Sequence, residues 1–111
     1  MSFALTTRQY EDRTKTVTRR LGWRKLKPGQ RFTGIEKGQG LKKGEKVKRL
    51  HDSIVVSNTR EPLYAIRGYP KGETAKEGFP DMTPQQFIAM FCEHNGCSRD
   101  EMINRIEFKH L

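Results

Sequence analysis

One stretch of this chain carries a full set of helix start and stop signals, and it constrains the fold more than any other. Thr83 suits an N-cap, Pro84 the first helical position, and Gln86 the place from which a side chain returns the capping bond. Met82 and Phe87 occupy the two positions of a hydrophobic staple. Phe87 and Phe91 lie about one turn apart with Ile88 beside them, so this stripe is expected to face the core. Asn95-Gly96 ends the helix, because Gly96 takes the left-handed conformation at no steric cost. A second, short helix is expected near the start, where Thr6-x-x-Gln9 has capping-box spacing.

Elsewhere the pattern is extended. Thr14 to Leu21 is rich in Thr and Val and reads as extended or irregular. Lys27-Pro28-Gly29-Gln30 is a turn. It leads into Arg31–Glu36, whose alternation puts Phe32 off one face and Arg31, Thr33 and Ile35 off the other. Val47 to Thr59 reads as a strand through Ile54-Val55-Val56. Ile103 to Leu111 reads as a closing strand, Ile106 and Phe108 alternating with Glu107 and Lys109. Strands outnumber helices, and no strand–helix repeat suggests a parallel sheet. With 111 residues and 33% hydrophobic content the core is small, and a sheet closed on itself uses few apolar residues well. The expectation is a single α+β domain over 1–111: a small mixed or antiparallel β-barrel with a few covering helices. Phe3, Phe32, Val55, Phe87, Phe91, Ile106 and Phe108 are expected to share one core.

Charge narrows the function. The chain carries a formal +9, unevenly: residues 1–60 hold sixteen Lys/Arg against five Asp/Glu, a balance of +11, whereas residues 61–111 balance at −2. Such asymmetry favours one basic face, which attracts phosphates by long-range steering and counterion release. No apolar run is long enough to span a membrane, and Met1–Tyr10 lacks the apolar core of a signal peptide, so a cytoplasmic protein is expected. Cys92 and Cys97, with His94 between them, fall short of a zinc set and are read as reduced thiols; no metal or cofactor is expected, and a monomer is favoured.

The densest polar constellation is Lys15-Thr16-Val17-Thr18-Arg19-Arg20. Guanidinium forks match phosphate oxygens, so Arg19, Arg20 and Arg24, with Lys42 and Lys43 in the glycine-rich loop Gly38–Lys46, are the candidate nucleic-acid contacts. That loop lacks the spacing of a nucleotide-triphosphate loop. Trp23 follows; its ring could stack on a base, but a lone Trp in a small domain is expected in the core. Lys15 and Thr18 would point to opposite faces of a regular strand, and converge only where the backbone bends. A converging pair makes a nucleophile: neutral lysine as base, threonine hydroxyl as attacker.

The stretch Lys15–Arg20 resembles the K-T-x-T-x-R opening of the ASCH domain. Lys27-Pro28-Gly29-Gln30-Arg31 resembles its P-G-D-R turn and strand, Glu77-Gly78-Phe79 its E-G-F segment, and Ile106-Glu107-Phe108 its closing I-x-F strand. The resemblance covers nearly the whole chain. It implies a PUA-like β-barrel with helices over its openings, in a family generally thought to bind RNA. Some small bacterial members are amidohydrolases acting on acetylcytidine, and another has been described as a ribonuclease. The amidohydrolases use a lysine, a threonine three residues later and a glutamate in an A-K-Q-E segment. Lys15 and Thr18 match the first two, and Glu77 in Ala75-Lys76-Glu77 matches the third with a one-residue shift, the glutamine being absent. The resemblance thus implies Lys15, Thr18 and Glu77 as the catalytic set of an amidohydrolase reading. The +11 half-chain favours an RNA-binding reading. A module that binds a protein partner without nucleic acid leaves the charge unexplained.

Overall fold

The computed structural model describes residues 1–37, 44 and 46–111. Helix α1 spans Thr7–Glu11, and strands β1, β2 and β3 span Val17–Arg20, Arg31–Ile35 and Arg49–Pro62. A 3-10 helix, Leu63–Gly68, leads to α2 (Glu73–Lys76), α3 (Pro84–Asn95) and β4 (Met102–His110). The strands form one antiparallel sheet in the order β1-β4-β3-β2. The fold is therefore α+β, a curled antiparallel half-barrel with a few helices. Among the described residues no helix is long and apolar enough to cross a membrane.

Two register slips help the sheet to curl, since a bulge bends its strand and increases the local twist. One lies between Val55 and Ser57, the other between Thr33 and Ile35. The second falls at Gly34, where a side chain has no room: a Cβ there would sit 2.4 Å from the Tyr10 ring. Tyr10 is fully buried inside the curl, stacked on Phe3 at 4.2 Å. Its hydroxyl donates to the His51 carbonyl at 2.8 Å and lies 2.7 Å from Ser53 Oγ. The N-terminal segment continues the sheet beyond β2, with Phe3 N–H donating to Ile35 O and Ile35 N–H to Met1 O.

The expected single core is two. Phe3, Tyr10, Phe32, Val55, Ile106 and Phe108 fill the inside of the curl. Phe87 and Phe91 belong instead to a second cluster with Leu63, Ile66 and Ile103. The reason is the period of β4. Ile106 and Phe108 share one face, so Ile103, out of phase with them, lies on the other, and α3 with the 3-10 helix packs there. Cys92 and Cys97 are free thiols packed at the margin of this second cluster.

The local helix signals hold in different measure. At α3 the Thr83 side chain accepts from Gln86 N–H, Gln86 returns the bond to Thr83 N–H, and Gly96 adopts φ 64°. At α1 the helix forms but Thr6 makes no side-chain cap bond. Thr6 is instead buried, packed where the chain passes Gly78.

Candidate functional site

Lys15 precedes β1, outside the regular strand. The backbone at Thr16 is held from two sides, its N–H donating to Lys76 O (2.8 Å) and its carbonyl accepting from Phe108 N–H (3.0 Å). Strand alternation therefore does not govern Lys15, and it lines the same cleft as Thr18, three residues on. Glu77, at the end of α2, lines it too. The chain turns away immediately after at Gly78, whose φ of 100° and tight contact with Thr6 leave no place for a side chain.

All three side chains are buried, and charge holds them. Lys15 Nζ donates to Glu77 Oε1 at 3.1 Å and also to the Glu77 carbonyl. The other carboxylate oxygen, Glu77 Oε2, accepts from Arg19 Nη1 at 3.0 Å. Arg19 Nη2 reaches Glu73 Oε2 at 2.7 Å, and Arg105 grips both oxygens of Glu73 at 2.7 and 3.1 Å. Lys15, Glu77, Arg19, Glu73 and Arg105 thus form an unbroken cation–anion chain through the interior. Glu61 lies 3.9 Å from Arg19 as a third carboxylate. The Tyr69 ring lies 5.2 Å from the Arg19 guanidinium and 4.6 Å from that of Arg105, and its hydroxyl donates to Glu61 Oε1 at 2.6 Å. Burial, reinforced by Glu61, pushes that phenol up to about 12.

Electrostatics differ from member to member. Burial pushes the Lys15 ammonium below its usual value; Glu77 opposes this, while Arg20 and Arg19 add to it. For Glu73, burial works to raise the carboxyl, yet the hydrogen bonds from Arg105 and Arg19 prevail and hold it below the usual carboxylate range. Arg19 Nε, also buried, has no hydrogen-bond partner among the described residues.

The structure redistributes the expected phosphate contacts. Arg19 is not on the surface: its side chain is 0% exposed, because Glu73 and Glu77 take both its terminal nitrogens. Arg20 is half-buried; its Nε donates to Thr18 Oγ1 at 2.9 Å, its Nη2 donates to the Ser2 carbonyl, and it lies 5.0 Å over the Phe3 ring. Burial lowers its guanidinium to about 10, Glu77 opposing, so it remains a cation at neutral pH. Arg24 is exposed. Lys42 and Lys43 lie outside the described residues. Trp23 is not a core residue: it is 45% exposed and lines the cleft.

The cleft measures about 840 Å³, within the range of small-molecule sites. Lys15, Thr18, Arg20, Trp23 and Glu77 line it, and α3 contributes Met90 and His94. Behind Lys15 stands a pair of imidazoles. His110 Nε2–H donates to the Lys15 carbonyl at 2.6 Å, which leaves His110 Nδ1 to accept from His51 Nε2–H at 2.6 Å.

Sequence reasoning missed Glu73, Arg105 and Tyr69. One signal was present for Arg105: on β4 it is in phase with Ile103, on a face that an apolar residue requires to be covered. Compared with known proteins, the chain matches no family model, no curated protein and no solved structure.

Proposed function

We propose that the chain is an ASCH-like domain of the PUA-like kind that binds single-stranded RNA, taking one base into the cleft. One observation carries this reading: a fixed set of donors and acceptors, Lys15, Thr18, Arg20 and Glu77, lines a cleft roomy enough for a base in a domain with an exposed basic surface. Buried ion pairs are expensive, and packing alone is usually served as well by apolar residues. A charged pair held inside a cleft is better explained by recognition, because a base edge presents donors and acceptors that water otherwise satisfies. Arg24, Lys25, Arg31 and Arg49 remain exposed to meet the phosphates. Titrating a labelled single-stranded RNA at low salt tests the reading; an absence of binding overturns it.

A second reading is favoured by the lowered Lys15 ammonium in the same cleft as the Thr18 hydroxyl: hydrolysis of an acylated cytidine. Thr18 Oγ would attack the amide carbonyl while neutral Lys15 Nζ takes its proton. The C–N bond then breaks, Lys15 returns the proton to the leaving amine, and water hydrolyses the acyl-Thr18 ester. Arg20, which donates to Thr18 Oγ1, would be the donor available to the developing oxyanion. In this case acetylcytidine is converted to cytidine and Thr18→Ala abolishes turnover without unfolding the protein. RNA binding with no release of cytidine retires the hydrolase and keeps the binder.

A further inference from the structure

The geometry points to Trp23 as a stacking platform for a nucleobase at the cleft, a role that rests on the base-binding reading above. Three observations converge on this residue. It is the chain's one tryptophan, yet 45% of it is exposed. Its backbone adopts φ 66°, a left-handed conformation that is an outlier for a bulky residue. And it lines the same cleft as Lys15, Thr18 and Arg20.

Strain of this kind persists only where the surroundings over-determine it, and two asparagines do so here. Asn58, on β3, donates from Nδ2 to the Trp23 carbonyl at 3.0 Å and to the Leu26 carbonyl at 2.8 Å. Asn104, on β4 and 1% exposed, donates to the Gly22 carbonyl at 2.8 Å and to that of Leu21 at 3.4 Å. The sheet thus fixes residues 21–26 in a shape that glycine would adopt more readily. Core packing does not explain a tryptophan there, because the ring is not in either core. A planar ligand does.

The chemistry selects the ligand class. An indole face stacks on any base, and Arg24, the next residue, is exposed to meet a phosphate. A base from an RNA strand and a free nucleoside offer the ring the same surface, but only the strand offers Arg24 a phosphate.

Because Trp23 is the chain's one tryptophan, its fluorescence reports on this site alone. A labelled single-stranded oligoribonucleotide of mixed sequence would be followed by anisotropy and by tryptophan emission, with free cytidine in a parallel titration. The expected result is quenching that saturates together with anisotropy. Trp23→Ala should weaken the oligonucleotide roughly 5- to 150-fold, the range for losing one stacked base, and Trp23→Phe should recover most of it. Quenching by the oligonucleotide well below the concentration at which cytidine acts identifies the strand as the source; equal potency identifies the nucleoside. Trp23→Gly guards against a packing role: at φ 66° it should leave Tm unchanged or raise it while weakening the oligonucleotide, followed by anisotropy, about as much as Trp23→Ala does. Anisotropy without quenching, with Trp23→Ala binding like the parent, overturns the platform and leaves RNA binding standing. A marked fall in Tm for Trp23→Gly makes the ring a packing residue and also overturns it. No anisotropy change and no quenching by either probe overturns both readings.

Discussion

Glu77 lies between two cations, Lys15 on one carboxylate oxygen and Arg19 on the other, at 3.1 and 3.0 Å. Both neighbours are buried, so neutralising the carboxylate leaves two largely desolvated cations without their counter-charge. Glu77→Gln is expected to cost about 3–5 kcal/mol, measured by urea unfolding, because removing one partner of a buried pair exposes the full desolvation penalty of the rest. A cost under about 0.5 kcal/mol would mean that the chain of charges is not formed in solution. His51 and His110 make a pH-dependent counterpart. Burial holds both rings below the usual 6.5, and Arg13 lowers both as well; the hydrogen bond to the Lys15 carbonyl and then Asp12 oppose this at His110, while at His51 His110 lowers further and Asp52 and Glu11 only partly compensate. In the folded protein the pair therefore binds protons later than in the unfolded chain as pH falls. Its stabilising effect is whole above 6.5 and is lost as pH drops through the folded values. Tm should fall between pH 7 and 5, and His110→Gln should flatten that fall; a parallel decline in the variant would remove His110 from the acid response. That Lys15 and Thr18 reach one cleft was legible in the sequence only as a condition, a departure from regular strand between them, and the structure meets it by leaving Lys15 outside β1. Arg19 was legible only as a cation. What it does is set by Glu73, on a helix more than fifty residues away, and no local pattern reports such a partner.

At the scale of elements, α3 was the most legible because its signals are local: a cap, a proline, a stripe and a glycine each act within one or two turns. Phe91 is 5% exposed in the second core, and Phe91→Ala is expected to cost about 3–5 kcal/mol by chemical denaturation. A loss within about 0.5 kcal/mol would place it on the surface. Strand β4 shows where legibility ends. Its alternation correctly separates Ile106 and Phe108 from Glu107 and Lys109, and the same arithmetic puts Ile103 on the opposite face. That the opposite face is also covered, by α3 and the 3-10 helix, depends on contacts between distant segments, and so one core was expected where two exist. Trp23 was misread for a related reason. The usual fate of a lone tryptophan is a statement about composition, whereas its position here is fixed by Asn58 and Asn104 from two strands.

For the whole molecule, the sequence and the structure agree on a small α+β sheet bent on itself. The basic bias of the first sixty residues survives folding even though Lys15 and Arg19 withdraw into the interior, since Arg24, Lys25, Arg31 and Arg49 stay exposed. RNA affinity should accordingly fall linearly with salt on logarithmic axes. Arg24→Ala should weaken binding about equally across sequences and reduce the slope by about one, as the loss of a single phosphate contact does. An unchanged slope in a titration from low to moderate salt would take Arg24 out of the interface. The shape of the sheet has one more consequence. Its outer strips are β1 on one side and the N-terminal segment beyond β2 on the other, and Arg20 fastens the first to the Ser2 carbonyl of the second. Ser2 and Phe3 from one strip and Thr18, Arg19 and Arg20 from the other line the same cleft. Among the described residues no backbone hydrogen bond joins the two strips, so the cleft opens where the circumference is closed by a side-chain clasp and by the packing of Arg20 on Phe3, while β1 is stitched to β4 and β2 to β3 through the ladder.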